Sequence, residues 1–422
     1  MPLSAPLPRE VIEESLNRGR EWLVRNQITP KTRHYDTLET DGPGGRPLRW
    51  VDGPLPAHLV GGFYANLWRN PAGAQSPQEV RRQYHSTWHT AQCAVALLRC
   101  LEYREDAAAR AAVNLAWEFL KRHQVTQGEY AGVFVERAIK DLRFPLREHL
   151  SFSQQNEKAN DGYAAYDNIE TDLFPLEMHR LTGDAGALRM AQANADFYLA
   201  RHPDRVFLEV ETHRPAINGM ANDAVYGRLA KYTGEAKYYD VYARQVRRMN
   251  LNGLDLRAGN NIRNMYWDMS GLIFGVETFP ELRGPALAQL AFLAEHLRSA
   301  QRADGALGFR FKAPGVVDTE CHQAIDGAAT GGAMAGWAAM YDVTGDPRWM
   351  DCIRRAVAHA VGGQYPAGDH PGFAGAFKYA GWIEQNGWRF EMLRAVATAF
   401  TVRAFAELLA GGRRWTEDYW RS

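Results

Sequence analysis

Six stretches of the chain are apolar on most sides, and they alternate with others that carry one apolar stripe opposite charged residues. The first kind covers 87–102, 166–181, 217–231, 264–277, 325–342 and 391–410; the second covers 107–123, 186–201, 236–249, 285–301 and 347–361. NLAWEFLKRH and YYDVYARQVRRM, from the second kind, repeat their apolar positions at the spacing of a helix face. Breaker signals stand between the paired stretches: YRED at 103–106, LTGD at 181–184, YTGE at 232–235, FPELRG at 279–284 and VTGD at 343–346. Glycine just past a helix end, followed by an acidic cap, predicts the turn of a helical hairpin. A helix that is apolar all round belongs inside and a striped one outside. This predicts six inner and five outer helices. The amphipathic N-terminal stretch 8–27 supplies a sixth outer helix, closing a ring by packing on the last inner one.

After several outer helices the chain offers glutamine and then glycine with an aromatic, as in QVTQGEYAGVF (124–134), QRADGALGFRF (301–311) and QYPAGDHPGF (364–373). No long strand pattern competes, so these turns are expected to hold short β-hairpins at most. No linker-like stretch divides the chain. The expectation is one all-α domain over 1–422, a double ring of about twelve helices. This layout resembles the (α/α)6 barrel of the six-hairpin glycosidases and of related polysaccharide lyases and sugar epimerases. The glutamine–glycine–aromatic turns are also similar to those of terpene-cyclase toroids, but the chain has no DxDD sequence of the squalene-cyclase kind.

Composition narrows the class of partner. Lysine plus arginine equals aspartate plus glutamate, 49 each, so no nucleic acid or anionic membrane is expected as a partner. The four cysteines have no CxxC pair and read as small buried hydrophobes of a reducing compartment. The N-terminus has no apolar core of signal-peptide length, and no stretch approaches a membrane span, so the expected location is cytoplasmic.

In a barrel of this kind the inner helices start at one face, so the residues just before or inside their first turns converge there. Six segments qualify: YHSTWHT (84–90), NDGYAAYDNIETD (160–172), HRPAINGMAND (213–223), NNIRNMYWD (260–268), DTECHQAID (318–326) and WIEQNGWRFE (382–391). All are polar and aromatic, and each precedes an apolar run. Stacking faces beside hydrogen-bonding groups suit a sugar ring, so Trp88, Tyr163, Tyr166, Tyr266, Trp267 and Trp388 are candidate platforms. Asp161, Asn218 and Asp318 read as helix caps. Asp167, Glu170, Asp223, Asp268 and Asp326 lie deeper, where a carboxylate is costly to bury unless paired or functional.

Glycoside hydrolysis needs one carboxylic acid to protonate the leaving oxygen and one carboxylate to attack or to activate water. Asp167, Glu170, Asp223 and Asp268 are the candidates, with His85 and His89 as further catalytic groups. On a helix, His85 and His89 would share a face. That spacing can bind zinc, but without a third ligand or an HExxH motif no metal and no cofactor is expected. Substrate-binding candidates besides the platforms are Asn222, Arg263, Asn264, His322, Asp326 and Arg389; Arg263, Arg389 and Arg214 suit a carboxylate on the sugar. The reading is a glycoside hydrolase acting on an oligosaccharide, with a uronate as one option. The alternatives are a lyase using His85, His89 or Tyr163 as base with Asn222, Asn264 or Arg263 neutralising a uronate, and an epimerase using His85, His89 and His322. Further off are a terpene-cyclase-like toroid and a non-catalytic helical-repeat scaffold.

Overall fold

The alternation of apolar and striped segments becomes an alternation of inner and outer helices. The computed structural model describes residues 5–36, 50–52, 56–70, 80–135, 168–201, 224–248, 261–308, 311–313, 316–317, 327–379, 381–385 and 388–421. The inner helices are α2 (Thr87–Tyr103), α4 (Leu173–Thr182), α6 (Val225–Thr233), α8 (Asn261–Thr278), α10 (Gly327–Thr344) and α12 (Ala395–Ala410). The outer helices are α1 (Arg9–Arg25), α3 (Ala107–His123), α5 (Ala185–Arg201), α7 (Ala236–Arg248), α9 (Pro280–Ala300) and α11 (Pro347–Gly363); a short α13 (Arg414–Tyr419) follows α12. Each inner helix packs on the next, and α12 returns to α2. Six inner helices thus close a ring inside six outer ones, an (α/α)6 barrel.

The breaker signals act as expected at three of the hairpin turns, where Thr182, Thr233 and Thr344 end inner helices. Each threonine hydroxyl donates to the carbonyl four residues back and accepts the backbone N–H of the acidic residue two ahead. The glycine between, at 183, 234 and 345, has φ of 73°, 72° and 68°, a conformation a side chain disfavours. FPELRG departs from the expectation. Only Phe279 separates the helices there, and α9 begins at Pro280, because proline at a first helical position loses no hydrogen bond.

The glutamine turns are the joints of the outer ring. Gln27, Gln124, Gln301 and Gln364 each donate through Nε2 to two carbonyls: one of a glycine further along its own turn, and one in the next outer helix. Those carbonyls belong to Gly61 and Ala112, Gly132 and Met190, Gly305 and Cys352, and Gly375 and Ser15. The glycines have φ between 87° and 102°. A Cβ on Gly61 or Gly305 would lie 2.1 Å from the carbonyl oxygen of Leu115 or Arg355, so the next outer helix can pass this closely only over glycine. Two residues further on, the backbone N–H of Phe63, Phe134, Leu307 or Phe377 donates to Thr90, Asn168, Thr330 or Thr398 in or just before the next inner helix. One unit therefore ties two outer helices and one inner helix together.

The last of these joints closes the ring, since Gln364 bonds Ser15 of α1 through both its amide nitrogen and its Oε1. Trp22 Nε1 donates to Gly372 O at 2.7 Å, and Gly19 lets α1 sit directly on Phe377 and Val402.

The strands exceed the short hairpins expected from the turns. β1 (His34–Asp36) pairs with β2 (Trp50–Asp52), and β5 (Phe311–Ala313) with β6 (Val316–Val317). β3 (Tyr64–Arg69), β4 (Val80–His85), β7 (Gly381–Gln385) and β8 (Trp388–Arg394) form an antiparallel sheet in the order β4-β3-β8-β7. β4 runs into α2 and β8 into α12, so one sheet feeds two adjacent inner helices. Alternation is hidden in these strands because Tyr64–Trp68 and Phe390–Leu393 are buried on both faces.

At the opposite face, where inner helices end, Glu177 of α4 is buried and bonded by Arg99, Arg180 and Arg228. Burial alone would raise its carboxyl, but Arg228, Arg99 and Arg180 outweigh it and hold the group at about 2 instead of the ordinary 4.5. A carboxyl depressed on folding stabilises the protein above its unfolded value and loses that contribution as pH falls toward its folded one. The shift corresponds to ~3 kcal/mol. Glu177→Gln is therefore expected to cost about that much at neutral pH, with the gap from wild type falling by half or more by pH ~3. Urea melts of both proteins across this range measure it, and a gap independent of pH would refute the charge account.

Candidate active site

Short turns join the first five inner helices to the outer helices that follow them, and β8 leads into the sixth, so the inner helices start at the other face, where the sheet enters. The best-defined cluster there is built on α2. Ser86, in extended conformation, caps the helix by accepting the N–H of His89 at 3.0 Å, and the same hydroxyl lies 2.7 Å from His89 Nδ1. The imidazole is thereby fixed at one nitrogen. Its ring meets that of Trp88 edge-on, with centroids 4.5 Å apart. Trp88 donates its indole N–H to Oε2 of Glu170, which lies in the helical turn just before α4. Glu170 is fully buried, and Trp88 and His89 nearly so. A hydrogen bond from a neutral N–H to a carboxylate is charge-assisted, which makes it one of the stronger ways to hold a buried acid in place.

Asn168 makes that turn rigid. Its side chain pairs with the backbone of Phe134 as a neighbouring strand would, accepting its N–H at 3.1 Å and donating to its carbonyl at 2.8 Å. Asn194 of α5 donates to the carbonyl of Asn168 and to Asp172 Oδ2. Burial pushes the Asp172 carboxyl well above the usual range, against the opposing bond from Asn194. Asp172 faces the outer ring and acts as a buried strut.

Asp268 is fully buried in the second turn of α8. Ala224, just before α6 and adjoining Asp223, holds φ 56° and ψ 36°, a left-handed conformation costly for a residue with a Cβ.

The structure brings together Trp88, His89 and Glu170 from the sequence candidates. His85 is not on the face of His89. It ends β4, paired with Tyr64, and extended Ser86 breaks the helical spacing between the two histidines. Arg263, Asn264, Tyr266 and Trp267 lie in the first two turns of α8, and Trp388 begins β8; for these and His85 the backbone alone is described. Arg389 follows on β8 and is exposed, its carbonyl accepting from Asn70 at 2.5 Å. Asp167, Asp223, Tyr163, Tyr166, Asn222, His322, Asp326 and Arg214 lie outside the described residues. Among the described residues no group of three His, Cys, Asp or Glu side chains is gathered as a metal site would require.

Sequence reasoning passed over Glu391. It is buried on β8, where Tyr365 Oη donates to Oε1 at 2.5 Å and Arg69 of β3 lies 3.3 Å from Oε2. Arg69 also bonds Asp369 and stacks 4.4 Å above Phe373. This cluster fastens the sheet to the loop that holds α1. Only pairing across β3 and β8 reveals it, since Arg69 and Glu391 are opposite in register.

The fold and this face define the chain as an (α/α)6 barrel with a buried carboxylate, imidazole and indole at the start of its inner ring. Solved structures of the same fold include an unsaturated glucuronyl hydrolase from Streptococcus agalactiae, at 12% identity and TM-score 0.57 over 96% of this chain and 92% of that one. A cellobiose 2-epimerase from Spirochaeta thermophila matches at 15% and 0.55, over 83% and 90%. A polysaccharide lyase matches at 12% and 0.53, over 77% and 90%. At such identities the likeness is one of fold. No family model and no curated protein matches the sequence. No helix among the described residues is long and apolar enough to cross a membrane.

Proposed function

We propose that the protein is a carbohydrate-active enzyme, a glycoside hydrolase acting on an oligosaccharide. The observation that carries the reading is the buried Glu170 carboxylate held by the Trp88 indole beside His89. We assign Glu170 the carboxylate role, attack on the sugar carbon or activation of water. A second acid protonates the leaving oxygen; the candidates are Asp167 on the same inner segment as Glu170, Asp223 on the next and Asp268 on the one after. A uronate-bearing substrate is the preferred class. The inner-helix N-termini give this face a positive field, and Arg389 stands exposed on the strand that enters it. The structural neighbours are named for hydrolysis, epimerisation and lysis of carbohydrates, which supports the substrate class more than the reaction.

His89 supports the rival reading. An imidazole fixed through Nδ1 by Ser86 is a positioned base, which a lyase or an epimerase needs. Incubation with saturated and unsaturated uronate oligosaccharides separates the three. Hydrolysis releases a reducing end and creates no new double bond. Near-ultraviolet absorbance arising from a saturated substrate would identify a lyase. An altered sugar configuration without cleavage would identify an epimerase. Either of the last two outcomes refutes the hydrolase assignment.

A further inference from the structure

The contact between Ser86 and His89 also decides which imidazole nitrogen carries the hydrogen. A serine hydroxyl has one proton to donate and lone pairs to accept with. Ser86 Oγ accepts the backbone N–H of His89 at 3.0 Å, as the cap of α2. Its second contact is with His89 Nδ1 at 2.7 Å. Ser86 is buried, and its hydroxyl makes no third hydrogen bond among the described residues. If Nδ1 carried the hydrogen, the ring would donate to Oγ and the hydroxyl proton would be left without an acceptor in a buried place, which is costly. If Nδ1 carries the lone pair, the hydroxyl donates to it and both groups of this contact are matched. The field of the helix acts in the same direction. His89 is the third residue of α2, where the positive end of the helix favours a lone pair over a bound hydrogen.

We infer that Ser86 holds the neutral imidazole of His89 as the tautomer protonated at Nε2, so that His89 donates a hydrogen bond to an oxygen of the sugar and does not take a proton from it. Its place beside Glu170 fits His89 for the base of the rival reading, but a base needs a nitrogen whose lone pair faces the substrate. Here the Nδ1 lone pair is engaged by Ser86, and Nε2 bears the hydrogen. An Nε2–H held in one direction suits an acceptor on the substrate, and proton transfer is left to the carboxylates. Ser86 is thus a positioning residue that acts through His89. The donor role toward a sugar rests on the function proposed above; the tautomer does not.

Nuclear magnetic resonance of the full chain carrying isotope-labelled histidine reads the tautomer directly from the ring nitrogen shifts. At pH about 8, where an ordinary imidazole is neutral, the His89 hydrogen is expected on Nε2, with the spectrum of His89→Gln identifying the signal. Ser86→Ala removes the donor, and the signal should move toward a mixture of tautomers. Ser86→Asp keeps a good helix cap but offers only acceptors, so a hydrogen should appear on Nδ1. A wild-type hydrogen on Nδ1, or a tautomer unmoved in both Ser86 variants, would overturn the assignment. Turnover of uronate oligosaccharides tests the donor role. An amide can donate but cannot act as a base, so His89→Gln should keep roughly tenfold more turnover than His89→Ala, the scale of one hydrogen bond, with the acidic limb of the pH profile unchanged. Equal losses in the two variants, or disappearance of that limb in His89→Gln, would make His89 something other than a donor. The spectra need no substrate, so a failure of the carbohydrate reading and a failure of the tautomer are seen separately.

Discussion

Deleting residues 1–27 is expected to abolish the cooperative fold, although no residue of the candidate active site is removed. Ile12, Leu16, Trp22 and Leu23 of α1 are fully buried, and their loss uncovers the face of α12 and the loop 364–377 on which they rest. At ~1.5–3 kcal/mol for each large apolar side chain withdrawn from water, the four contribute about 6–12 kcal/mol, comparable with the whole stability of an ordinary domain. The deletion also strips partners from groups that stay buried. Gln364 loses both contacts to Ser15, and the carbonyls of Gly61 and Ala112 lose the Gln27 amide. Circular dichroism should show helix without a sharp thermal transition, or the protein should be insoluble. A soluble truncation that melts cooperatively near the wild-type temperature would show that the ring does not depend on α1.

That closure was legible in the sequence because it rests on the most reliable signal, an apolar stripe with no partner of its own. The order of inner and outer helices was legible for the same reason, and the Thr-Gly-acid turns fall where their chemistry demands. The glutamine turns were only half read. Gly132 and Phe134 stand in the quoted stretch, but the third turn uses Gly375 and Phe377, past its end, and in another Leu307 takes the aromatic's place. The joint at Gln27 was missed because Gly61 lies more than thirty residues on, with β1 and β2 between. What defines the unit is a carbonyl too close for a Cβ, and that is a property of the neighbouring helix, invisible along the chain. The sheet escaped because strands buried on both faces do not alternate. His85 was misplaced for a related reason: a spacing of four means one face only if the intervening residues are helical, and Ser86, a good cap, is the residue that prevents it. At the candidate site, residue type pointed to Glu170, but the bond that distinguishes it comes from Trp88, 82 positions away.

Glu170→Gln is expected to cut turnover by roughly 100-fold or more, the scale of a lost acid–base or nucleophilic group, while leaving the fold intact. The amide has nearly the shape of the carboxylate and can turn its oxygen toward the Trp88 indole, so the hydrogen bond that locates the side chain is kept. What is lost is the negative charge and the second basic oxygen. The pH dependence is the sharper readout. If Glu170 acts as the ionised partner, the acidic limb of kcat/KM belongs to it and should flatten in the variant, and the basic limb, set by the acid that protonates the leaving group, should remain. Trp88→Phe separates chemistry from architecture. It removes the indole donor and leaves the carboxylate buried, so it should lower melting temperature and weaken turnover together, by ~1–3 kcal/mol in stability. A Glu170→Gln protein that keeps turnover within about threefold, or that loses activity only in proportion to lost folded protein, would make the Trp88–Glu170 pair a structural tie between α2 and α4. The hydrolytic carboxylates would then have to come from the other inner helices, with Asp268 the first to replace.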